Sequence, residues 1–348
     1  MKLPVRTIVF LPLLLSVACT KGGNGAGGAK KLTIGFSLDT LKEERWQRDR
    51  DMFVAECEKL GARVVVQSAN NDANLQNSQA ENLLTQGVSV LVVVANNAKT
   101  AATIVETGHK SGVPVVAYDR LILDSDLDVY VSFDAVRVGE LQADYLVKRK
   151  PKGRYVLIEG SPIDNNARLV RDGQMNVLKP FVDRGDIEVV AEQWAKDWQP
   201  VEALKIMENA LTRNQNQVDA VVTANDGMAG GAIQALAEQK LTGKILVSGQ
   251  DAELGACRRI VAGTQSMTVY KPIRDLARKA AEIAVALGRK EGLPAGGQTI
   301  PNGRKDVPAF LIDPVQVDKD NLVSTVVKDG WQKLEDVYKD APKDQWPK

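Results

Sequence analysis

The chain has 348 residues, 44% of them apolar and 26% charged, the balance of an ordinary globular protein with enough length for two cores. Its net charge of +1 gives neither nucleic acid nor an anionic membrane surface a reason to be the main partner. Aromatic residues make up only 5%, so a tryptophan outside a core segment carries information.

Lys2 and Arg6 precede an apolar run from Ile8 to Leu15, and Ser16-Val-Ala-Cys19 follows. That layout predicts a signal peptide over residues 1–18, with a run too short to span a bilayer. Cys19, directly after Ala18, points to a lipoprotein in which that thiol carries the lipid and tethers the chain to a membrane. Plain secretion is the alternative, because Ser16 stands where a lipobox has leucine and Leu15 lies one place further back. Residues 19–30 are rich in glycine and read as a flexible tether. Two other cysteines, Cys57 and Cys257, sit among apolar neighbours in apparent helices, where buried free thiols are expected rather than a disulfide.

The body of the chain alternates strand and helix. A strand is predicted over 31–38, a helix over 44–60 closed by Gly61, a strand over 62–67 and a helix over 75–86 closed by Gly87. The apolar run 88–95 is a third strand, ending at Asn96 and Asn97, and 100–110 a helix. Val113–Ala117 reads as a strand buried on both faces, and 129–133 as another. A second run follows: helix 136–148, strand 155–158, helix 167–182, strand 187–192, helix 200–213, strand 220–223, helix 228–239, strand 245–248, helix 252–262 and strand 266–270. The tail adds a long helix over 272–289 and an extended stretch over 307–317. Repeats of about 25 to 30 residues are the mark of stacked βαβ units. The expected fold is α/β, with two doubly wound, Rossmann-like parallel-sheet units.

Little here supports catalysis. The one histidine, His109, falls near the end of a surface helix and reads as a solvated side chain, which removes His-based triads and most His metal sites. No serine stands in a nucleophile elbow, and neither a P-loop nor a strand-linked dinucleotide fingerprint occurs. Asp124-Ser-Asp-Leu-Asp128 starts like a calcium loop, but Val129 and Ala135 hold the places of the required glycine and glutamate, so it reads as a solvated turn. The Asp226-Gly-Met-Ala-Gly-Gly231 stretch reads as close helix–sheet packing in preference to a phosphate site. Neither a metal nor a cofactor is expected.

The polar ends of the strands are more telling, because ligands of open α/β sheets sit beyond the carboxyl ends of the strands. Asp119 and Arg120 stand at such a tip, as do Asp164 with Asn165 and Asn166, Asn225, and Asp251. Trp46, next to Arg45, opens the first helix, and Trp194 and Trp198 lie past the 187–192 strand. Tryptophan faces pack on the C–H face of a sugar ring, while planar polar groups bridge its hydroxyls. Arg45, Asp119, Arg120, Asp164, Asp251 and Lys271 give three positive and three negative charges, a balance that suits a neutral polyhydroxylated ligand better than an anion.

Long stretches carry a resemblance: Glu44-Arg-Trp-Gln-Arg-Asp-Arg-Asp51, Ala117-Tyr-Asp-Arg120, Gly160-Ser-Pro-Ile-Asp-Asn-Asn166, Ser248-Gly-Gln-Asp-Ala252 and Met267-Thr-Val-Tyr-Lys-Pro272. The chain resembles the periplasmic sugar-binding proteins of ABC importers from about Leu32 to beyond Asp329. The resemblance implies two Rossmann-like lobes joined by three hinge strands, one of residues 31–134 with 272–308 and one of 135–271 with 309–340. It implies ligand contacts at Arg45, Trp46, Asp119, Arg120, Asp164, Asn166, Trp198, Asn225, Asp251 and Lys271. D-xylose is the sugar it implies, with ribose, arabinose and glucose as alternatives. The implied partner is the membrane permease of an ABC importer, served by a monomer without enzymatic activity in the periplasm or another extracytoplasmic space. A sugar sensor feeding a membrane receptor is the other role that fits. A repressor of this shape would carry a helix-turn-helix where the signal peptide and tether stand, and a sugar isomerase would want metal-binding histidines.

Overall fold

The computed structural model describes residues 32–347; the expected signal peptide, Cys19 and the tether lie outside the described residues. The first half alternates β1 (Thr33–Leu38), α1 (Glu44–Lys59), β2 (Arg63–Ser68), α2 (Ala73–Thr85), β3 (Val90–Val93), α3 (Ala102–Lys110), β4 (Val115–Tyr118) and β5 (Val129–Phe133). The second runs α4 (Ala135–Arg149), β6 (Gly153–Glu159), α5 (Asn165–Asp183), β7 (Ile187–Trp194), α6 (Pro200–Arg213), β8 (Ala220–Thr223), α7 (Asp226–Glu238), β9 (Leu246–Val247), α8 (Leu254–Val261) and β10 (Thr268–Tyr270). The tail holds α9 (Ile273–Gly288), β11 (Gln298–Pro301), β12 (Asp306–Ile312), β13 (Val315–Val317), a π turn at Val323–Val327 and α10 (Leu334–Val337).

Seven strands form the first sheet in the order β11-β12-β5-β4-β3-β1-β2, parallel except for the β11–β12 hairpin. Four parallel strands form the second, β7-β6-β8-β9, and β10 pairs antiparallel with β13 in a ribbon. In both sheets the order reverses at the first strand of the unit, β1 or β6, which places a crevice at the strands' carboxyl ends.

The apolar runs explain the layering. Every residue of β3, β4 and β5 is buried, as a parallel strand covered by helices on both faces demands. Phe36, Phe53 and Tyr118 interlock at centroid distances of 4.6 and 5.5 Å on the α1 side. Burying each such ring stabilises the fold by about 1.5–3 kcal/mol, and Phe53→Ala would cost about 3–5 kcal/mol. Helix starts at the strand tips are fixed by side chains: Asp72 Oδ1 accepts from the Asn74 and Leu75 N–H, and Asp134 Oδ1 from Arg137 N–H. A Cβ at Gly231 would lie 2.1 Å from the Pro200 carbonyl, so this glycine lets α7 pack closely on helix α6, where packing on the sheet was expected.

The chain crosses between the lobes three times: after β5, between β10 and α9, and between β12 and β13. Pro314 splits the extended stretch expected over 307–317 into two strands of different sheets. The expected lobe boundary between residues 308 and 309 falls inside β12, whose pairing with β5 runs from Ala309 to Ile312. His109 is not simply solvated: its Nε2 lies 2.8 Å from Asp128 Oδ2, an oxygen that also accepts from Val115 N–H. Cys57 and Cys257 are both buried and unbonded.

Candidate ligand-binding site

A cavity lined by residues of both lobes lies between the carboxyl ends of the two sheets, where ligands of open α/β sheets sit. From the first lobe Arg45 and Trp46 on the opening turn of α1, and Asp119 and Arg120 beyond β4, border it. From the second lobe come Asp164 and Asn166 at the start of α5, Trp198 after β7, Asn225 at the start of α7 and Asp251 after β9. Lys271 reaches it from the second crossing. All ten residues singled out from the sequence therefore face one space. Nine are buried, and Asn166 is half-buried.

Each is held there by local structure. Asp164 caps α5, its Oδ1 accepting from Asn166 N–H at 2.9 Å, while its other oxygen accepts from Trp198 Nε1–H at 3.1 Å. Asn225 caps α7 by accepting from Met228 N–H at 2.9 Å. Gln142 of α4 donates to the carbonyls of Ala224 and Gly249, bracing the tips that carry Asn225 and Asp251. Asp119, Trp198 and Asp251 have φ of 63°, 55° and 95°. Such left-handed conformations are unfavourable for residues with a Cβ and persist where the surroundings fix them, which is typical of ligand sites.

Charges on the two walls interlock. Arg45 Nε pairs with Asp49 at 3.1 Å, its Nη2 with Asp119 at 2.8 Å and its Nη1 with Asp251 across the cleft at 3.5 Å. Arg120 holds Asp39 of its own lobe at 2.6 Å and Asp164 of the other at 3.0 Å. Lys271 Nζ faces Asp251 Oδ1 at 2.7 Å, close enough for an ion pair though poorly aligned as a hydrogen bond. Burial works against the charge on Arg45, but Asp119, Asp49 and Asp251 more than offset it and hold the guanidinium well above its ordinary value. Burial also opposes ionisation of Asp119, yet Arg45 and Lys271 keep that carboxyl below the usual range. At Asp164 burial wins over Arg120 and the carboxyl titrates higher than usual. Asp39 and Asp49, together with Glu43 on the cavity wall, bring three further acids to the balanced set of six. An anionic ligand is correspondingly less favoured.

Aromatic faces complete the walls. Trp46 lies under Arg45 and Arg120, at 4.1 and 5.2 Å from ring centre to guanidinium carbon, and Phe133 lies 5.6 Å from Lys271 Nζ. Trp198 rests on Gly160 so closely that a Cβ there would come within 2.2 Å of its Cη2. Sequence reasoning passed over Glu43, Ser132, Phe133 and Gln250, as well as Ala135, Val138 and Val170, which also line the cavity. Ser132 and Phe133 end a buried strand, the same signal that singled out the other tips. Trp194, by contrast, is not among the lining residues; Arg168 lies 5.9 Å from its ring.

The cleft is closed. Asn166 Nδ2 donates to the Asp119 carbonyl at 2.9 Å, Lys42 Nζ to the Asp197 carbonyl at 2.7 Å, and Ala98 N–H to the Ile163 carbonyl at 3.0 Å. Buried donors, acceptors and aromatic faces around one enclosed space can grip a small polar molecule on all sides. Among the described residues no group of histidine, cysteine and acid side chains is arranged to hold a metal.

Residues 34–292 match the family model of the periplasmic binding protein domain. The chain is 53% identical to the D-xylose-binding periplasmic protein of Escherichia coli K12, over 93% of this chain and 97% of that one. It is 52% identical to the protein of the same name from Haemophilus influenzae, over 94% and 98%. A carbohydrate transporter solute binding protein from Chloroflexus aurantiacus, solved with D-glucose, superposes with a TM-score of 0.83 at 30% identity, covering 88% of this chain and 98% of that one. The two-sheet fold, the closed cleft and these relatives agree: the chain belongs to the periplasmic binding protein family, among its sugar-binding members.

Proposed function

We propose that the chain captures D-xylose in the interlobe cavity and hands it to the permease of an ABC importer, with no chemistry of its own. The observation that carries this reading is the convergence of both lobes' buried charges on one cavity, Arg45 with Asp119 and Arg120 with Asp164. Each hydroxyl of a sugar donates one hydrogen bond and accepts others, and carboxylates and guanidinium groups side by side supply both partners. Trp46, Phe133 and Trp198 bring aromatic rings to the cavity wall, the kind of surface that packs on a sugar's C–H face. The choice of D-xylose rests on the two relatives of that name.

In this reading the ten residues Arg45, Trp46, Asp119, Arg120, Asp164, Asn166, Trp198, Asn225, Asp251 and Lys271 are the ligand contacts. Residues 32–134 with 272–312 move as one lobe and 135–271 with 313–340 as the other, hinged at the three crossings, as in periplasmic binding proteins generally. The protein works as a monomer outside the cytoplasm, held to a membrane by lipid on Cys19. A thermal-shift panel of pentoses and hexoses tests the ligand. D-xylose should give the largest rise in melting temperature, since a ligand that binds only the folded state stabilises it more, at equal concentration, the tighter it binds. A larger shift with ribose, arabinose or glucose would reassign the sugar, and no shift with any of them would overturn the reading.

A further inference from the structure

Asp251 and Ala252 occupy consecutive left-handed conformations, with φ of 95° and 49°, and neither is glycine. Two such residues in a row are costly and need a surrounding that holds them. Part of that surrounding is the second lobe's own: Asp251 N–H donates to the Val269 carbonyl at 2.8 Å and Ala252 N–H to Thr268 Oγ1 at 3.2 Å. Cys257 Sγ of α8 donates weakly to the Ala252 carbonyl at 3.5 Å, and the stronger donors to that carbonyl come from the tail. The Ala252 carbonyl accepts from Trp331 Nε1–H at 3.0 Å and from Gln332 Nε2–H at 3.1 Å. Both tail residues are buried and neither lines the cavity.

The same two residues are also gripped by the first lobe. Gln332 Nε2 donates to Glu44 Oε1 at 2.9 Å, and its Oε1 accepts from Arg48 Nη2 at 3.3 Å. Arg48 donates to the Trp331 carbonyl, and its guanidinium lies 4.3 Å from the centre of that ring. Glu44 Oε2 in turn accepts from Leu254 N–H, three residues past Asp251. One clasp thus joins α1, the tail and the strained turn that aims Asp251 at the cavity.

Resting on the reading of the cavity as the sugar site, we propose that Trp331 and Gln332 are positioning residues for Asp251. They hold its turn in the binding conformation and tie that conformation to the closed arrangement of the lobes. A tail that merely filled core would contribute stability without acting through one carboxylate.

The test uses Gln332→Leu and the milder Trp331→Phe, which keeps an aromatic side chain but loses the indole N–H, each alone and combined with Asp251→Ala. Amide exchange is followed across residues 251–254 without sugar, and D-xylose affinity by calorimetry. Each single variant removes one hydrogen bond to the Ala252 carbonyl and should speed exchange at Ala252 and weaken binding by about fivefold to tenfold. In the Asp251→Ala background neither should weaken binding further, because the group they position is gone. Unchanged exchange at Ala252, or affinity losses that multiply with that of Asp251→Ala, would overturn the proposal. If the wild-type chain took up no sugar, the ligand reading would fall instead, and the exchange rates alone would decide whether the tail holds the turn.

Discussion

On the first-lobe wall of the cavity, Arg45 and Arg120 sit among carboxylates of their own lobe, Asp49, Asp119 and Asp39. On the second-lobe wall, Asp164 and Asn225 are fixed as helix caps, and Trp198 and Asp251 by left-handed backbone. Side-chain charge organises the first wall, where Asp119 is the one site residue with left-handed backbone, and caps and backbone geometry organise the second. Each arginine also reaches one acid across the cleft, Asp251 or Asp164. Opening the lobes would leave the first wall internally paired and would strip the second of its cationic partners, except for Lys271 beside Asp251. The first wall is therefore suited to receive the sugar preformed, and the second to complete the grip on closure.

The strongest way to break the first wall is Arg45→Ala. Asp49 and Asp119 would lose the guanidinium paired with both, leaving Lys271 beside Asp251 as the nearest remaining cation, and uncompensated buried charge costs about 3–5 kcal/mol. Urea unfolding should show that loss, and D-xylose binding should vanish with it; a variant as stable as wild type would mean that the acids are protonated and the cage is not ionic. Asp119→Ala is gentler, because Arg45 keeps Asp49. Losing charge-assisted bonds worth roughly 1.5–3 kcal/mol each should weaken D-xylose at least about tenfold by calorimetry. His109→Ala is the control, since it disturbs only the half-buried pair with Asp128, and should leave affinity alone.

The second wall should respond to backbone changes. Gly160→Ala drives a methyl into Trp198, and overpacking of this kind costs about 1–3 kcal/mol. Tryptophan fluorescence should report the displaced ring and affinity should fall; unaltered fluorescence and affinity would show that the ring has room to move. Below this wall, Glu159 ends β6 fully buried. Burial, helped by Glu192, holds its carboxyl up at about 8 against an ordinary 4.5. In the folded chain it keeps a proton that the unfolded chain has released. Stability is therefore fully present below about 4.5 and declines as pH rises toward about 8, by at most about 1.4 kcal/mol per pH unit. Glu159→Gln should flatten that decline in urea unfolding at pH 5 and pH 8.5, and an unchanged slope would place the titration elsewhere.

Much of the second wall was legible in the sequence because its residues cluster at turns after apolar runs, as in Ser161-Pro-Ile-Asp164 and Gly249-Gln-Asp251. The first wall's wiring was not. Asp119 and Arg120 are neighbours in sequence, yet Asp119 pairs with Arg45, 74 residues away, and Arg120 with Asp39 and Asp164. Nothing local announces such partners; they meet only because β1 and β4 end at the same edge of one sheet. Phe133 was passed over because a strand's last apolar residue looks like core. The β11 strand escaped notice because Gln298–Pro301 is an exposed edge with no apolar alternation. Trp331 and Gln332 lie in a tail without periodicity, and their role rests on two hydrogen bonds to one distant carbonyl.

The most direct test is a crystal structure of the mature chain grown with D-xylose. One sugar ring should lie in the closed cavity, against Trp46, Phe133 or Trp198, with its hydroxyls on Arg45, Asp119, Arg120 and Asp164 from both lobes. A sugar bound by one lobe alone, or anywhere outside this cavity, would contradict the account.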